Sequence, residues 1–267
     1  MSDVAFVLGS EPGPASLLPA VLAGLHQTGA TTTVQLAHEL RDVDVVSGAD
    51  VVVLRALSID ALDRLRPLEA TGVRCCNRIG ATAAARDKAE SARLLAEAGV
   101  PAPATVVFDN WASVQDLASS RPVVAKPVHG SRGHGVVFLD RGQRCRAPWP
   151  GPYLVQDRID HDGRDRKVYV VGTRVAGVVR RWPPVTLSDK HGAAFAPDRE
   201  ERDAALAAGA ALGLEIYGVD LLAGAEGPMV VDVNAFPGFK GVPAAATWVT
   251  EHLAALAHAV EVARCAS

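Results

Sequence analysis

The chain has 267 residues, with 27 Lys or Arg against 30 Asp or Glu and a formal net charge of -3. This length suits one large domain or two to three small ones. The mildly acidic balance argues against a nucleic-acid partner, because domains that bind nucleic acid are usually strongly basic. No apolar run reaches membrane-spanning length and no basic-then-apolar segment opens the chain. We therefore expect no membrane partner and a cytoplasmic location.

The spacing of the cysteines limits their chemistry. They are Cys75, Cys76, Cys145 and Cys265. This arrangement matches neither the spacing of zinc-binding cysteines nor the C-x-x-C spacing of redox sites, so four free thiols are expected.

Residues 1–80 alternate short apolar strands with helices, which predicts a small parallel sheet covered by helices. Strands are predicted at 4–8, 32–36, 51–54 and 73–76, and helices at 14–28 and 59–70. The loop from Gly9 to Gly13 follows the first strand, where such sheets often place ligands. Because a loop there needs turn residues in any case, this signal is weak.

Residues 81–150 contain a lysine in an apolar strand, followed by a glycine-rich turn. A helix at 86–98, a strand at 105–108 and a helix at 111–119 precede it. Strand 123–126 ends in Lys126, the turn runs from His129 to Gly135, and a strand follows at 136–138. Backbone N–H groups in such a turn can hold phosphate oxygens. A plain hairpin with a surface lysine is the alternative, but the valine and alanine neighbours of Lys126 favour a phosphate-binding flap.

Residues 151–267 are predicted to form an antiparallel meander followed by helices. Strands are expected at 153–159, 166–171 and 174–179, a polar loop at 188–197, and helices at 199–212 and 244–263.

Three oxygen-bearing side chains near the C-terminus predict a metal site. Asp220 lies on one apolar strand, and Asp232 and Asn234 lie two residues apart on the next. Because strand side chains alternate between faces, Asp232 and Asn234 share a face, and a hairpin at 224–228 can bring Asp220 beside them. Carboxylate and carboxamide oxygens suit Mg²⁺ rather than zinc. The alternative is that Asp232 and Asn234 are turn residues ahead of Phe236, but the surrounding valines indicate a buried strand.

These segments together resemble the ATP-grasp superfamily from about residue 77 to residue 252. The motifs in chain order are Asp87-Lys88, Lys126-Pro127 with the glycine turn, Tyr153 to Asp157, Lys167 to Gly172, Gly218 to Asp220, and Asp232 to Asn234 with Pro237-Gly238. Each motif is weak alone, but their order and spacing are specific. The resemblance implies an α/β and α+β architecture. It has an N-terminal α/β domain at 1–80, a flap subdomain at 81–150 and a metal-bearing subdomain at 151–267.

The resemblance also implies roles for individual residues. Lys88 and Lys126 would reach the phosphates of ATP, and Asp165 would meet its ribose. A hinge against adenine would consist of Gln156, Asp157, Arg158 and Ile159. The flap residues His129, Gly130, Ser131 and Gly133 would close over the phosphates. Asp220, Asp232 and Asn234 would hold Mg²⁺, with two ions expected and Mn²⁺ as an alternative.

Two branches of the superfamily compete for the activity. One resembles glutamate ligases and glutathione synthetases, which phosphorylate a carboxylate that an amine then attacks. The other resembles inositol trisphosphate and tetrakisphosphate kinases, whose acceptor is a hydroxyl. The Tyr217 to Leu222 segment looks like the ligase branch, whereas Asp232 to Gly238 looks like the kinase branch. Ligases usually have an arginine in place of Lys167, and the kinases have a substrate lysine that the Gly9 to Gly13 loop lacks.

The sequence favours a carboxylate–amine ligase that releases ADP and phosphate, because ligases dominate the superfamily. Small-molecule carboxylate and amine substrates are then expected, or a polyol phosphate for a kinase. Lys167, Arg180 and His134 are the candidate catalytic residues. A third reading is a non-catalytic nucleotide-binding module, which the intact metal trio and Lys126 argue against. If the chain forms a homodimer, the C-terminal helix and the first domain are the surfaces expected to take part.

Overall fold

The structure is a computed structural model that describes residues 2–129, 135–182 and 192–266. Its first sheet contains β1 (Asp3–Leu8), β2 (Thr31–Leu36), β3 (Val51–Arg55) and β4 (Arg74–Cys76), in the spatial order β2-β1-β3-β4. The accompanying helices are α1 (Leu18–Gln27), α2 (Asp44–Ser47), α3 (Ile59–Leu65) and α4 (Pro67–Ala70). All neighbouring strands of this sheet pair in parallel, which confirms the predicted parallel sheet.

Three of the predicted helices are wrong in extent. The helix predicted at 14–28 begins only at Leu18, and a proline lies in its first turn. The segment 59–70 forms α3 and α4 as separate helices, because Pro67 has no N–H with which to continue the hydrogen bonds of α3. The segment predicted to be helical at 86–98 contains the end of α5 (Ile79–Arg86) and then α6 (Lys88–Glu97). Asp87 between them has an extended backbone, and its side chain accepts hydrogen bonds from the first turn of α6 as the N-cap.

The second sheet is antiparallel and contains β5 (Thr105–Phe108), β6 (Val123–Pro127), β7 (Val137–Leu139) and β8 (Tyr153–Asp157). Its spatial order is β5-β8-β6-β7. Helix α7 (Trp111–Ser120) packs on it, with the Trp111 and Tyr153 ring centroids 5.1 Å apart. Since β8 pairs with both β5 and β6, we propose a boundary after Asp157 rather than at the expected position 150/151.

The third sheet contains β9 (Arg164–Val171), β10 (Arg174–Arg181), β11 (Ala193–Phe195), β12 (Ile216–Gly224) and β13 (Gly227–Ala235). Its order is β11-β10-β9-β12-β13, and all neighbours are antiparallel. The meander is confirmed for the strands predicted at 166–171 and 174–179. The strand predicted at 153–159 does not belong to it, because that segment is β8 and pairs with β5 and β6 of the second sheet. The predicted polar loop at 188–197 is wrong at residues 193–195, which form β11 because the backbone there pairs with the exposed edge of β10. Residues 188–191 lie outside the described residues.

The two faces of the third sheet have different characters. Val168, Val170, Val219 and Val233 are buried against helix α8 (Arg199–Leu212). The alternate positions on the same strands carry charged and polar side chains. These are Asp165, Lys167, Asp220, Asp232 and Asn234. Strand periodicity therefore separates the hydrophobic core of this unit from a polar face.

The first sheet is fixed to the third sheet by a buried side chain. The Asn77 carboxamide donates a hydrogen bond to the Ile216 carbonyl at 2.8 Å and accepts from the Glu215 and Ile216 N–H groups at 2.7 and 2.9 Å. Helix α9 (Ala245–Ala266) packs on α1, and its Val249 and Leu253 side chains are fully buried there. The end of β4 and the start of β12 are thus held together.

The described cysteines agree with the prediction of free thiols. Cys75 and Cys76 are buried, Cys145 and Cys265 are exposed, and all four are free thiols. Among the helices within the described ranges, none has both the length and the apolarity needed to cross a membrane.

Candidate active site

Lys88 is positioned by the start of helix α6. Its backbone N–H donates to the Val128 carbonyl at 3.2 Å, which joins the helix start to the end of β6. Its ammonium lies 2.5 Å from the Asp232 carboxylate on β13. Burial alone would raise the pKa of Asp232, but the Lys88 and Lys126 ammonium groups outweigh it and hold that pKa below its usual range.

Lys126 comes from β6 of the second sheet and faces β13 of the third sheet. Its ammonium donates to the Gln156 side-chain oxygen at 2.6 Å and to the Val231 carbonyl at 3.3 Å. Burial lowers the pKa of Lys126, and the nearby Lys88 adds to that effect. The Gln156 amide group in turn donates to the Thr105 hydroxyl at 3.2 Å. Lys88, Lys126, Gln156 and Asp232 therefore line one cavity between the second and third sheets.

Lys167 and Asp220 lie directly opposite each other on β9 and β12. The Lys167 ammonium is 2.6 Å from the Asp220 carboxylate. Burial would lower the pKa of Lys167, but attraction to Asp220 is strong enough to raise it overall. Lys167 is therefore a charged ammonium group beside the proposed metal ligands.

The three proposed metal ligands are brought together by the register of β12 and β13. Asp220 pairs with Asp232 and Gly218 pairs with Asn234, with a bulge after Asp220. The Asn234 amide group lies 3.4 Å from the second Asp220 oxygen. Two carboxylates and a carboxamide are hard oxygen donors, so this donor set fits Mg²⁺. Their role as metal ligands stays a proposal.

Asp165 and Arg180 extend the charged face across β9 and β10, where they are paired residues. The Arg180 Nε lies 3.5 Å from an Asp165 carboxylate oxygen. Burial and the Asp220 charge raise the pKa of Asp165 to about 6, although Arg180 and Lys167 oppose that rise. The structure thus places Asp165 on the same face as Lys167 and Asp220.

Other predicted site residues lie elsewhere or point away. The Asp157 and Arg158 side chains pair with Arg121 and Asp140, at 2.6 and 2.7 Å. His129 is exposed at the end of β6. Ile159 lies beside the hairpin between β12 and β13, since a Cβ placed on Gly224 would be 3.4 Å from it. The remaining predicted residues lie outside the described ranges. They are Gly130, Ser131, Gly133 and His134.

Arg55 is a residue of this region that no sequence pattern singles out. It ends β3, and its guanidinium carbon lies 5.9 Å from the centre of the Phe236 ring. Phe236 follows the proposed metal ligand Asn234 by two residues. The sequence feature that could have identified Arg55 is its position directly after the apolar strand predicted at 51–54.

Two antiparallel α+β units that face each other across lysines and carboxylates, next to a small parallel α/β domain, define the architecture of an ATP-grasp protein. A model of the RimK-like ATP-grasp domain matches residues 85–250. This match covers more than half of the chain, so the chain belongs to the RimK-like ATP-grasp family.

Individual proteins agree with this assignment. A probable alpha-L-glutamate ligase of Stenotrophomonas maltophilia (strain K279a) is 34% identical over 232 residues, which cover 78% of this chain and 80% of that protein. The crystal structure of the D-cycloserine synthetase DcsG has a TM-score of 0.72 at 21% identity, covering 96% of this chain and 100% of that one. The D-alanine–D-alanine ligase of Bacillus anthracis has a TM-score of 0.68 at 16% identity, covering 99% of both chains. These two structures support the fold.

Proposed function

We propose that the protein is an ATP- and Mg²⁺-dependent carboxylate–amine ligase. The γ-phosphoryl group of ATP would move to a substrate carboxylate oxygen and give ADP and an acyl phosphate. An amine nitrogen would then attack the acyl carbon, form the amide bond and lose a proton, while inorganic phosphate leaves. The observation that carries this proposal is the set of lysines that face Asp220 and Asp232 between the two antiparallel sheets.

In this proposal the charged face handles the phosphates. Lys88 and Lys126 would bind phosphate oxygens of ATP, since their ammonium groups line the same cavity. Asp220, Asp232 and Asn234 would hold Mg²⁺, with two ions expected and Mn²⁺ as an alternative. When bound, the metal would neutralise charge on the β- and γ-phosphates.

The nucleoside would lie along the end of β8. Because the Asp157 and Arg158 side chains are engaged in ion pairs, the backbone of the hinge segment 156–159 would contact adenine. The Asp165 carboxylate would meet the ribose. The flap residues His129, Gly130, Ser131 and Gly133 would cover the phosphates and exclude water.

The remaining cations would act on the reacting groups. Lys167 and Arg180 lie on the same face as Asp220, where negative charge would develop on the transferred phosphoryl group and on the attacked carbonyl oxygen. His134 is proposed to act on the same reacting groups.

Family membership supports a ligase over the kinase alternative. A polyol polyphosphate requires a surplus of positive charge, yet Lys88, Lys167 and Arg180 each lie against a carboxylate. Because a relative at 34% identity is named an alpha-L-glutamate ligase, L-glutamate is the first substrate to test.

Phosphorus NMR of the protein with ATP, Mg²⁺ and pools of amino acids and organic acids tests this function. Phosphate release that requires an acid and an amine together is the expected result. A new phosphate-ester resonance with ADP and no free phosphate would make the protein a kinase.

A further inference from the structure

Arg55 lies where a parallel sheet places its ligands. It is the last residue of β3, and the C-terminal ends of parallel strands form the edge at which α/β sheets bind small molecules. The Gly9 to Gly13 loop leaves the neighbouring strand β1 at the same edge, and the Gly9 N–H donates to the Arg55 carbonyl at 3.0 Å. The Arg55 side chain extends from this edge towards Phe236, beyond the end of the proposed metal strand β13.

The Arg55 guanidinium lacks the acidic partner that comparable cations of this protein have. Arg74, Arg166 and Lys88 pair with Glu215, Glu201 and Asp232. The Nε of Arg55 is buried without a hydrogen-bond partner, and no carboxylate in the described part of the chain pairs with Arg55. Burial lowers the pKa of Arg55 with no acidic neighbour to oppose it. A partly buried cation without an anion is costly, so this position is suited to a bound anion.

The backbone is strained directly after Arg55 and in the segment that begins at Phe236, its ring contact. Ala56, Phe236 and Phe239 all have positive φ angles, of 57°, 39° and 50°. For residues other than glycine, this conformation is unfavourable and is concentrated at functional sites. A Cβ on Gly9 would lie 1.9 Å from the Ala56 carbonyl oxygen, so the loop after β1 packs tightly on the same segment.

The position of Arg55 in the fold suits a substrate contact. Phe236, under the guanidinium, follows the proposed metal ligand Asn234 by two residues, so Arg55 lies beside the end of the strand that carries Asp232 and Asn234. A small amino acid or dicarboxylate carries one group that can react and another that can be bound. An anion held by Arg55 would therefore belong to the substrate whose other end reacts near Asp220 and Asp232.

We propose that Arg55 binds a non-reacting carboxylate of the substrate, and that the substrate is therefore an amino acid or a dicarboxylate. The planar guanidinium offers two parallel N–H donors to such a group, which selects a carboxylate over a neutral substituent. This inference rests on the proposed function, because it assigns the substrate class of the same ligase site.

The test compares wild-type protein with Arg55→Gln and Arg55→Lys, and uses Arg41→Gln at an exposed arginine of the same domain as the control. The probes are L-glutamate, other amino acids and dicarboxylates, added with Mg²⁺ and a non-hydrolysable ATP analogue. Binding is followed by melting temperature and calorimetry. Arg55→Gln should weaken carboxylate binding roughly 10- to 100-fold, while its affinity for the ATP analogue stays near that of wild type. Arg55→Lys keeps the charge, and its expected loss is smaller.

The binding assay needs no turnover, so the two proposals fail separately. Carboxylate binding that depends on Arg55 without acid- and amine-dependent phosphate release would overturn the ligase and keep the Arg55 site. Ligation with unchanged KM values for acid and amine in Arg55→Gln would overturn the Arg55 site alone. If none of the probes binds the wild-type protein, the Arg55 inference is also wrong. If Arg55→Gln fails to fold, the carboxylate affinity of Arg55→Lys is compared with that of Arg41→Gln. An affinity of Arg55→Lys equal to that of Arg41→Gln would then overturn the Arg55 site.

Discussion

Lys88 and Asp232 are separated by 144 residues, yet the ammonium of one lies 2.5 Å from the carboxylate of the other. Lys88 comes from the N-terminus of α6 and Asp232 from β13, so this ion pair crosses the crevice between two units. The proposed phosphate ligand and the proposed metal ligand thus neutralise each other. Magnesium–ATP would exchange this contact for two new ones, from Lys88 to phosphate and from Asp232 to the metal.

Replacing Asp232 should abolish turnover while leaving the fold intact. Asp232→Asn keeps the shape of the side chain but removes the charge that would hold Mg²⁺. We expect kcat to fall by roughly 10²- to 10³-fold or more, as when a main electrostatic group of an active site is lost. Phosphate release measures kcat, and circular dichroism checks the fold. Asp203→Asn, at an exposed carboxylate on α8, is the control and should behave like wild type. Normal turnover in Asp232→Asn would refute the metal site.

Replacing Lys126 should weaken nucleotide binding. Lys126→Met retains the apolar stem and removes the ammonium that lies between Gln156 and the β13 backbone. Because hydrogen bonds to charged groups contribute about 1.5–3 kcal/mol, the Kd for an ATP analogue should rise roughly 10- to 150-fold. Calorimetry measures this Kd. Lys240→Met, at an exposed lysine, should leave it unchanged. An unaltered affinity in Lys126→Met would remove this lysine from the nucleotide site.

Asp165 should make the stability of the protein depend on pH. Its pKa in the fold is about 6, above the value of about 3.9 for an exposed aspartate. The fold favours the protonated carboxyl of Asp165. The contribution of this group to the free energy of unfolding is therefore fully present below about pH 4 and is lost as the pH rises through 6. Asp165→Asn mimics the protonated form. The free energy of unfolding of Asp165→Asn, relative to that of wild type, should therefore increase between pH 4 and 6, by at most about 3 kcal/mol.

Urea unfolding at several pH values measures this difference, and Asp162 supplies a control of opposite sign. Hydrogen bonding to Arg166 lowers the pKa of Asp162, so its stabilising contribution is present at neutral pH and disappears on acidification. Asp162→Asn should lose stability relative to wild type at pH 7 and recover towards it in acid. A stability difference for Asp165→Asn that does not vary from pH 4 to 8 would contradict the proposed protonation.

Two glycine-to-alanine changes in helices should have opposite effects. A Cβ on Gly209 in α8 would lie 2.0 Å from the Tyr217 ring and hydroxyl, whereas a Cβ on Gly80 in α5 would meet nothing within 4 Å. Overpacking should make Gly209→Ala less stable by about 1–3 kcal/mol. Gly80→Ala should gain up to about 1 kcal/mol from helix propensity. Denaturant unfolding of both variants tests this, and equal stabilisation by the two would show that α8 can move away from β12.

The sequence predicts those features that depend on local periodicity. The alternation of Asp232, Val233 and Asn234 and the surrounding valines are enough to predict a strand with two polar side chains on one face. The short hairpin then brings Asp220 into register. The resemblance to a known superfamily supplies Lys88 and Lys126 as phosphate ligands, although their contacts with Asp232 and Gln156 depend on how distant units pack.

Other features require the tertiary structure. β11 has a polar sequence context and forms because an edge of β10 is available, so local propensity does not predict it. β8 looks like the first strand of the meander, but it pairs with β5 and β6 instead. Arg55 reads as an ordinary strand end until the packing of β3 against the Phe236 segment buries its Nε without a partner.

Transfer of oxygen from the acid to phosphate tests the ligase most directly. The acid is labelled with ¹⁸O in both oxygens of every carboxylate and is incubated with ATP, Mg²⁺ and amines. L-Glutamate is tested first, followed by the other acids of the pool. Through an acyl phosphate, each inorganic phosphate released should carry one ¹⁸O atom, visible as an isotope shift in the phosphorus NMR spectrum. Unlabelled phosphate accompanying amide formation, or a phosphate ester with ADP, would contradict the account.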